Sequence, residues 1–172
     1  MVGKKDVLKI VALILALALV ASTYGWWECG RKNERLLESI YVDSTRSQVF
    51  LSDMADSLNG SIKANASSDY LWSQLVLYDE HSIFLGKIFF NLYEQTGERK
   101  YYFIHTAAYN IAGFFTAALN DKPPQMQEMV KRNLKSLERI QECFGELLRY
   151  QKPNEIPESL AEELFNLSEE LK

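Results

Sequence analysis

KKDVLKIVALILALALVASTYGWW, residues 4–27, carries no charge between Lys9 and Glu28. As a helix that uncharged run is about 27 Å long, and Val7 and Leu8 extend it to the roughly 30 Å hydrocarbon thickness of a bilayer, with Lys9 reaching outward. Tyr24, Trp26 and Trp27 gather at its far end and Lys4, Lys5 and Lys9 at its near end. Aromatic rings and lysines are what a membrane–water boundary selects, so these six residues are expected at the membrane interface. The reading is a single membrane anchor over residues 1–27, contacting lipid through residues 7–27, followed by about 145 residues outside the bilayer. A cleavable secretory signal, with an apolar centre from Ile10 to Ala21 and small residues at Val20-Ala21-Ser22, is the main rival, and a core helix is the third reading.

Working outward, the totals bound the remainder. Of the chain's 172 residues, 47% are hydrophobic and 12% aromatic, enough for one bulky core. Without residues 1–25 the chain keeps 16 basic and 22 acidic residues, a balance of -6. That acidity argues against nucleic acid, whose phosphates require a basic face. A protein partner, or self-association, is expected instead.

Positive charge brackets the anchor almost evenly, with Arg31, Lys32 and Arg35 following it, so orientation rests on other signals. Three Asn-x-Ser sequons, at Asn59, Asn65 and Asn166, are candidate glycosylation sites. Two cysteines, Cys29 and Cys143, form an even count that an oxidising compartment would allow to pair. Both signals suit a cell-membrane protein whose bulk is extracytoplasmic.

From Glu28 to Ile62 the apolar residues Leu36, Leu37, Ile40, Tyr41, Leu51, Met54, Leu58 and Ile62 fall at helical spacing. The polar run Asp43–Gln48 suggests a kink or a wet patch. LNGSIKANASS, residues 58–68, reads as a loop with Ser67 or Ser68 capping the next helix. That helix, Tyr70–Gln95, shows Leu71, Leu75, Tyr78, Leu85, Phe89 and Leu92, and Gly97 is placed to end it and turn the chain back.

The following helix, Arg99–Leu119, has no formal charge from Tyr101 to Leu119 and is expected at the centre of the fold. Small residues at Ala108, Ala112 and Thr116, and at Gly113 and Ala117, would let a neighbour approach one edge of it. Pro123-Pro124 starts a helix over Gln125–Gln151, whose apolar positions read as Met126, Val130, Leu134, Leu137, Phe144 and Leu148, with Glu128 set to pair with Arg132. After the break at residues 152–157, Glu158–Leu171 offers Leu160, Leu164, Leu167 and Leu171 opposite a run of Glu.

These segments predict an all-α protein: an N-terminal transmembrane helix, an antiparallel up-down four-helix bundle over residues 28–152, and a short C-terminal amphipathic helix over residues 153–172 packed on or near it. No catalytic, cofactor or metal constellation accompanies them. A di-iron bundle needs Glu three residues before its histidines, but Tyr78 precedes His81 and Tyr102 precedes His105 at that spacing. The leading expectation is a non-catalytic interaction or scaffold domain held near a membrane. The alternative is a carrier for a small apolar or aromatic ligand, secreted in the case of signal cleavage, in a groove near Tyr102, His105, Tyr109 and Phe114; its mark would be a cavity of about 300 Å³ or more.

Overall fold

A computed structural model describes the backbone of residues 4–172, and the side chains of Lys9 and of residues 13–172. The described residues are helical and contain no strand: α1 Lys4–Leu51, α2 Met54–Lys63, α3 Ser68–Thr96, α4 Arg99–Asn120, α5 Pro123–Leu147 and α6 Glu158–Glu169, with a 3₁₀ turn at Pro153–Glu155. Two compact units are present, Met1–Leu37 and Glu38–Lys172.

The first unit holds the apolar part of α1. Leu13, Ile14, Leu15, Leu17, Leu19 and Val20 are 59–69% exposed, and Trp26 is 87% exposed. The described leucine, isoleucine and valine side chains from Leu13 to Val20 are all uncovered. By length and composition it is the one helix among the described residues able to cross a membrane.

In the second unit, α3 and α4 form an antiparallel hairpin. Gly97, at φ +70°, takes the left-handed conformation that ends α3, and its N–H donates to Tyr93 O at 2.7 Å. The register follows from Tyr93 packing on Tyr102, His105 on Gly86 and Thr116 on Asp79. Helix α4 lies at the centre, packed on α3, α5 and α6. Tyr101, Ile104, Ile111 and Phe115 are at most 1% exposed, each contributing about 1.5–3 kcal/mol of burial. Ala107, Ala108 and Ala112 are buried as well, while Gly113, Thr116 and Ala117 are exposed, so only one of the two expected small-residue rows meets another helix.

The buried row of α5 is Met126, Val130, Asn133, Leu137, Ile140, Phe144 and Leu147. Alternating steps of four and three are the coiled-coil seam, and they exclude Leu134 and Leu148, both half-buried. Asn133 is buried in the seam where the expected row had placed its neighbour Leu134. Its Nδ2 donates to Lys172 O at 2.7 Å and its Oδ1 accepts from Lys172 N at 2.9 Å, which ties α5 to the end of the α6 segment. Glu128 pairs with Lys131 at 3.2 Å rather than with Arg132, one turn being bridged as well by three residues as by four. Leu160, Ala161, Leu164 and Leu167 of α6 are buried against α4 and α5, making α6 part of the core.

Two expectations about the first half of the unit are corrected. The expected kink at Asp43–Gln48 is absent: α1 continues through it, and Ser44, Ser47 and Gln48 are buried with partners, Gln48 Nε2 donating to Ser44 Oγ at 2.6 Å and Ser47 Oγ meeting His81 Nδ1 at 3.0 Å. The break falls instead at Ser52-Asp53, where Gln141 of α5 accepts from the Ala55 and Asp56 N–H groups that open α2. A side chain from another helix thus supplies the cap that α2 lacks locally. The loop expected over residues 58–68 is shorter, since Asn59 and Gly60 belong to α2, and Ser67 caps α3 by accepting from Tyr70 N.

Buried polar contacts close the unit. The Tyr41 hydroxyl lies 3.1 Å from Leu147 O and 3.2 Å from Tyr150 O, joining α1 to the end of α5. Lys100, 9% exposed, donates to Asn154 O at 3.0 Å and pairs with Glu98 at 3.0 Å, which pins residues 152–157 beside the start of α4.

Candidate functional site

The four residues expected to line one groove are divided between two places. Tyr102, His105 and Tyr109 project from the outer face of α4, where they meet Phe90 and Tyr93 of α3 in a ladder of rings with centroids 5.0–6.1 Å apart. His105 Nδ1 lies 3.0 Å from Gly86 O. A carbonyl can only accept, so Nδ1 is the donor of this bond. Neither Tyr102 nor His105 borders the groove that Tyr109 and Phe114 share.

Tyr109 and Phe114 do line a groove. It measures about 510 Å³ and opens between α4, α5 and the α6 segment, bordered also by Asn110, Gly113, Met129 and Ser168. The volume is within the range of small-molecule sites. Phe114 is 6% exposed with its ring 5.3 Å from Phe115, whereas Gly113 leaves the floor open, with nothing within 4 Å of where a Cβ would stand. At one wall Asn110 Nδ2 donates to Ser168 Oγ at 3.0 Å, and Ser168 donates to Phe165 O at 2.7 Å. Asn110 and Ser168 were not anticipated as groove residues, and Gly113 and Ala117, expected to admit a neighbouring helix, border the groove instead. The lining is mixed: Tyr109, Phe114, Met129 and Leu171 supply apolar surface, and Asn110, Ser168, Glu169 and Lys172 supply polar groups.

Among the described residues no three His, Cys, Asp or Glu side chains come together to hold a metal. His81 stacks on Phe50 at 4.2 Å, and burial, assisted by Arg46, pushes its pKa below the ordinary 6.5 while Glu80 acts in the other direction. Burial raises the pKa of Asp79, against which the Thr116 hydroxyl, donating at 3.0 Å, works in the carboxylate's favour.

Of the two cysteines, both with free thiols, Cys29 is exposed in the first unit and Cys143 is buried in the second. Burial, reinforced by the Glu163 and Glu146 carboxylates, pushes the Cys143 thiol up to about 12. Of the sequons, Asn65 is exposed in the α2–α3 turn at φ +50°, Asn59 is half-buried in α2, and Asn166 is exposed on α6 although its companion Ser168 is buried. Of the residues expected at a membrane interface, Tyr24, Trp26 and Trp27 are exposed. Lys9 is exposed too, and the side chains of Lys4 and Lys5 lie outside the described residues. Arg31 sits 4.7 Å over the Trp27 ring and pairs with Glu28 at 3.0 Å.

No protein-family model, curated protein or solved structure matches the chain.

Proposed function

We propose that this is a single-pass membrane protein whose Glu38–Lys172 unit is a non-catalytic, up-down helical bundle that holds a protein partner close to the membrane surface, on the extracytoplasmic side. The observation that carries the reading is the pairing of opposites in one chain: an uncharged helix with 59–69% of each leucine, isoleucine and valine side chain from Leu13 to Val20 uncovered, and a unit that buries its own apolar faces. In water that uncovered surface costs about 25 cal/mol per Å², and transfer to lipid removes the cost. The Tyr24, Trp26 and Trp27 rings at its end support an interfacial position. Up-down order is supported by the α3–α4 hairpin and by the antiparallel contact of α1 with α3, in which Ser47 meets His81 and Tyr41 meets Phe89.

The test is protease protection on sealed vesicles with tags at both ends, combined with glycosidase treatment and cross-linking of bound proteins. The expected result is a protected C-terminal tag, a mobility shift lost in Asn65→Gln, and one dominant cross-linked partner. A C-terminal tag digested from the cytoplasmic side overturns the sidedness.

The groove of about 510 Å³ beside Tyr109 and Phe114 favours a second reading, a carrier for a small apolar ligand with a polar end directed at Asn110. Gly113→Leu would fill the groove from its open floor, and loss of extractable ligand with an unchanged fold is the outcome that distinguishes a carrier from an interaction domain.

A further inference from the structure

On the outer side of the α1–α3 pair, apolar side chains recur at every seventh residue. Tyr70, Leu77 and Phe84 of α3 are 54%, 36% and 45% exposed, and Val42 and Val49 of α1 are 61% and 52% exposed. A seven-residue step holds side chains in one stripe along a helix, and a stripe of that kind normally has a helix against it. The two helices run antiparallel, as Ser47 and Phe50 meeting His81 and Tyr41 meeting Phe89 require. Val49 of α1 borders the same depression as Tyr70 and Leu77 of α3.

Two depressions follow the seam. One, of about 470 Å³, is bordered by Val49, Phe50, Asp53, Tyr70 and Leu77; the other, of about 360 Å³, by Asp43, Arg46, Glu80, His81 and Phe84. The stacked Phe50–His81 pair separates them, one ring lining each. From Tyr70 to Phe84 is about 21 Å, or about four helical turns. Asp43, Asp53 and Glu80 make three acidic borders against one basic residue, Arg46, which sits 5.9 Å over Phe50. Among the described residues no ion pair engages Asp43, Glu80 or Arg46.

We infer that this seam is a docking groove for an amphipathic helix of a partner protein that carries Lys or Arg beside its apolar stripe. The inference rests on the interaction-domain reading and names the partner's chemistry. The stripe of Tyr70, Leu77 and Phe84, about four turns long and set among polar residues, matches helix-in-groove recognition, in which residues at i, i+3, i+4 and i+7 supply the anchors. The acidic border selects the sign of the partner's charge. A second copy of the chain would bring the same acidic border against itself, and an anionic lipid surface would be repelled by it.

The experiment uses the full chain in phosphatidylcholine nanodiscs, with empty nanodiscs subtracted. The probes are two fluorescent helical peptides of about 18 residues with the same leucine stripe, one flanked by Lys and the other by Glu. The Lys peptide is expected to bind about tenfold or more tightly than the Glu peptide, and Leu77→Asp and Phe84→Asp each to weaken it by about tenfold. Because Asp43 and Glu80 are exposed, the Asp43→Lys, Glu80→Lys double variant keeps the fold and reverses the preference. Equal binding of the two peptides, or binding indifferent to Leu77→Asp and Phe84→Asp, overturns the inference. So does self-association of the chain that Leu77→Asp abolishes. If the cross-linked partner of the wild-type chain persists in Leu77→Asp, the groove assignment fails while the interaction reading stands; if no partner is cross-linked to the wild type, the interaction reading itself fails.

Discussion

A Cβ on Gly86 would stand 2.7 Å from Cε2 and 2.8 Å from Cδ2 of Tyr109, so the Tyr109 ring lies where it does against α3 because residue 86 has no side chain. Gly86 is buried in mid-helix, where glycine normally costs about 1 kcal/mol relative to alanine. The Tyr109 ring, 40% exposed and 5.0 Å from His105, occupies the space gained.

Gly86→Ala therefore has two opposed effects, a gain of about 1 kcal/mol in helix propensity and an overpacking cost of about 1–3 kcal/mol, and a net loss is expected. In a Tyr109→Ala background the clash is gone and the same substitution becomes neutral or stabilising. Urea midpoints of the four proteins form a double-mutant cycle, and additive effects would show that the ring is not what excludes the methyl group.

Asn133 interrupts an otherwise apolar seam and holds the backbone of Lys172 from both its donor and its acceptor. Asn133→Ala is expected to cost about 1–3 kcal/mol, because the partner groups lose their hydrogen bonds at a crowded position. Asn133→Asp keeps the acceptor and loses the donor, and falls between. Amide exchange in α6 should quicken in both variants, and unchanged exchange would mean that α6 is held by its leucines alone.

Cys143 gives the fold a dependence on alkaline pH. Its thiol is held up to about 12 by burial, against an ordinary 9.0 in the unfolded chain. Between those values the unfolded state sheds the proton and the folded state keeps it, so this contribution to stability is whole below about pH 9 and declines toward pH 12. Cys143→Ala should flatten that decline, leaving the part due to Tyr41, Tyr78 and Tyr101, whose pKa values burial also raises. In native protein at pH 8 a thiol reagent should modify Cys29 promptly and Cys143 only on unfolding; equal rates would contradict the burial.

Elements with a strong local signature were legible in the sequence. The Gly97 turn, the uncharged helix α4 and the Pro123 start each depend on residues near one another in the chain, and each falls within a residue or two of its expected place. What escaped notice depends on partners distant in sequence. Gln141 capping α2, Asn133 replacing an apolar residue in the seam of α5, and Asn110 meeting Ser168 are polar residues whose burial is decided by a helix elsewhere. The candidate groove was half legible for the same reason. Tyr109 and Phe114 were visible as aromatics on a central helix, but the opening is set by Gly113 and by where α6 ends its packing, which spacing alone does not express.

Extraction of whole membranes with alkaline carbonate, followed by sedimentation and detection of both ends of the chain, tests most directly whether residues 10–27 lie in lipid. The full-length chain is expected in the membrane pellet, and Arg in place of both Leu15 and Leu17 should move it to the supernatant, since each charge at mid-span costs about 2.5–3.5 kcal/mol. Full-length wild-type chain in the supernatant, or a shortened chain released from the membrane, would contradict the account.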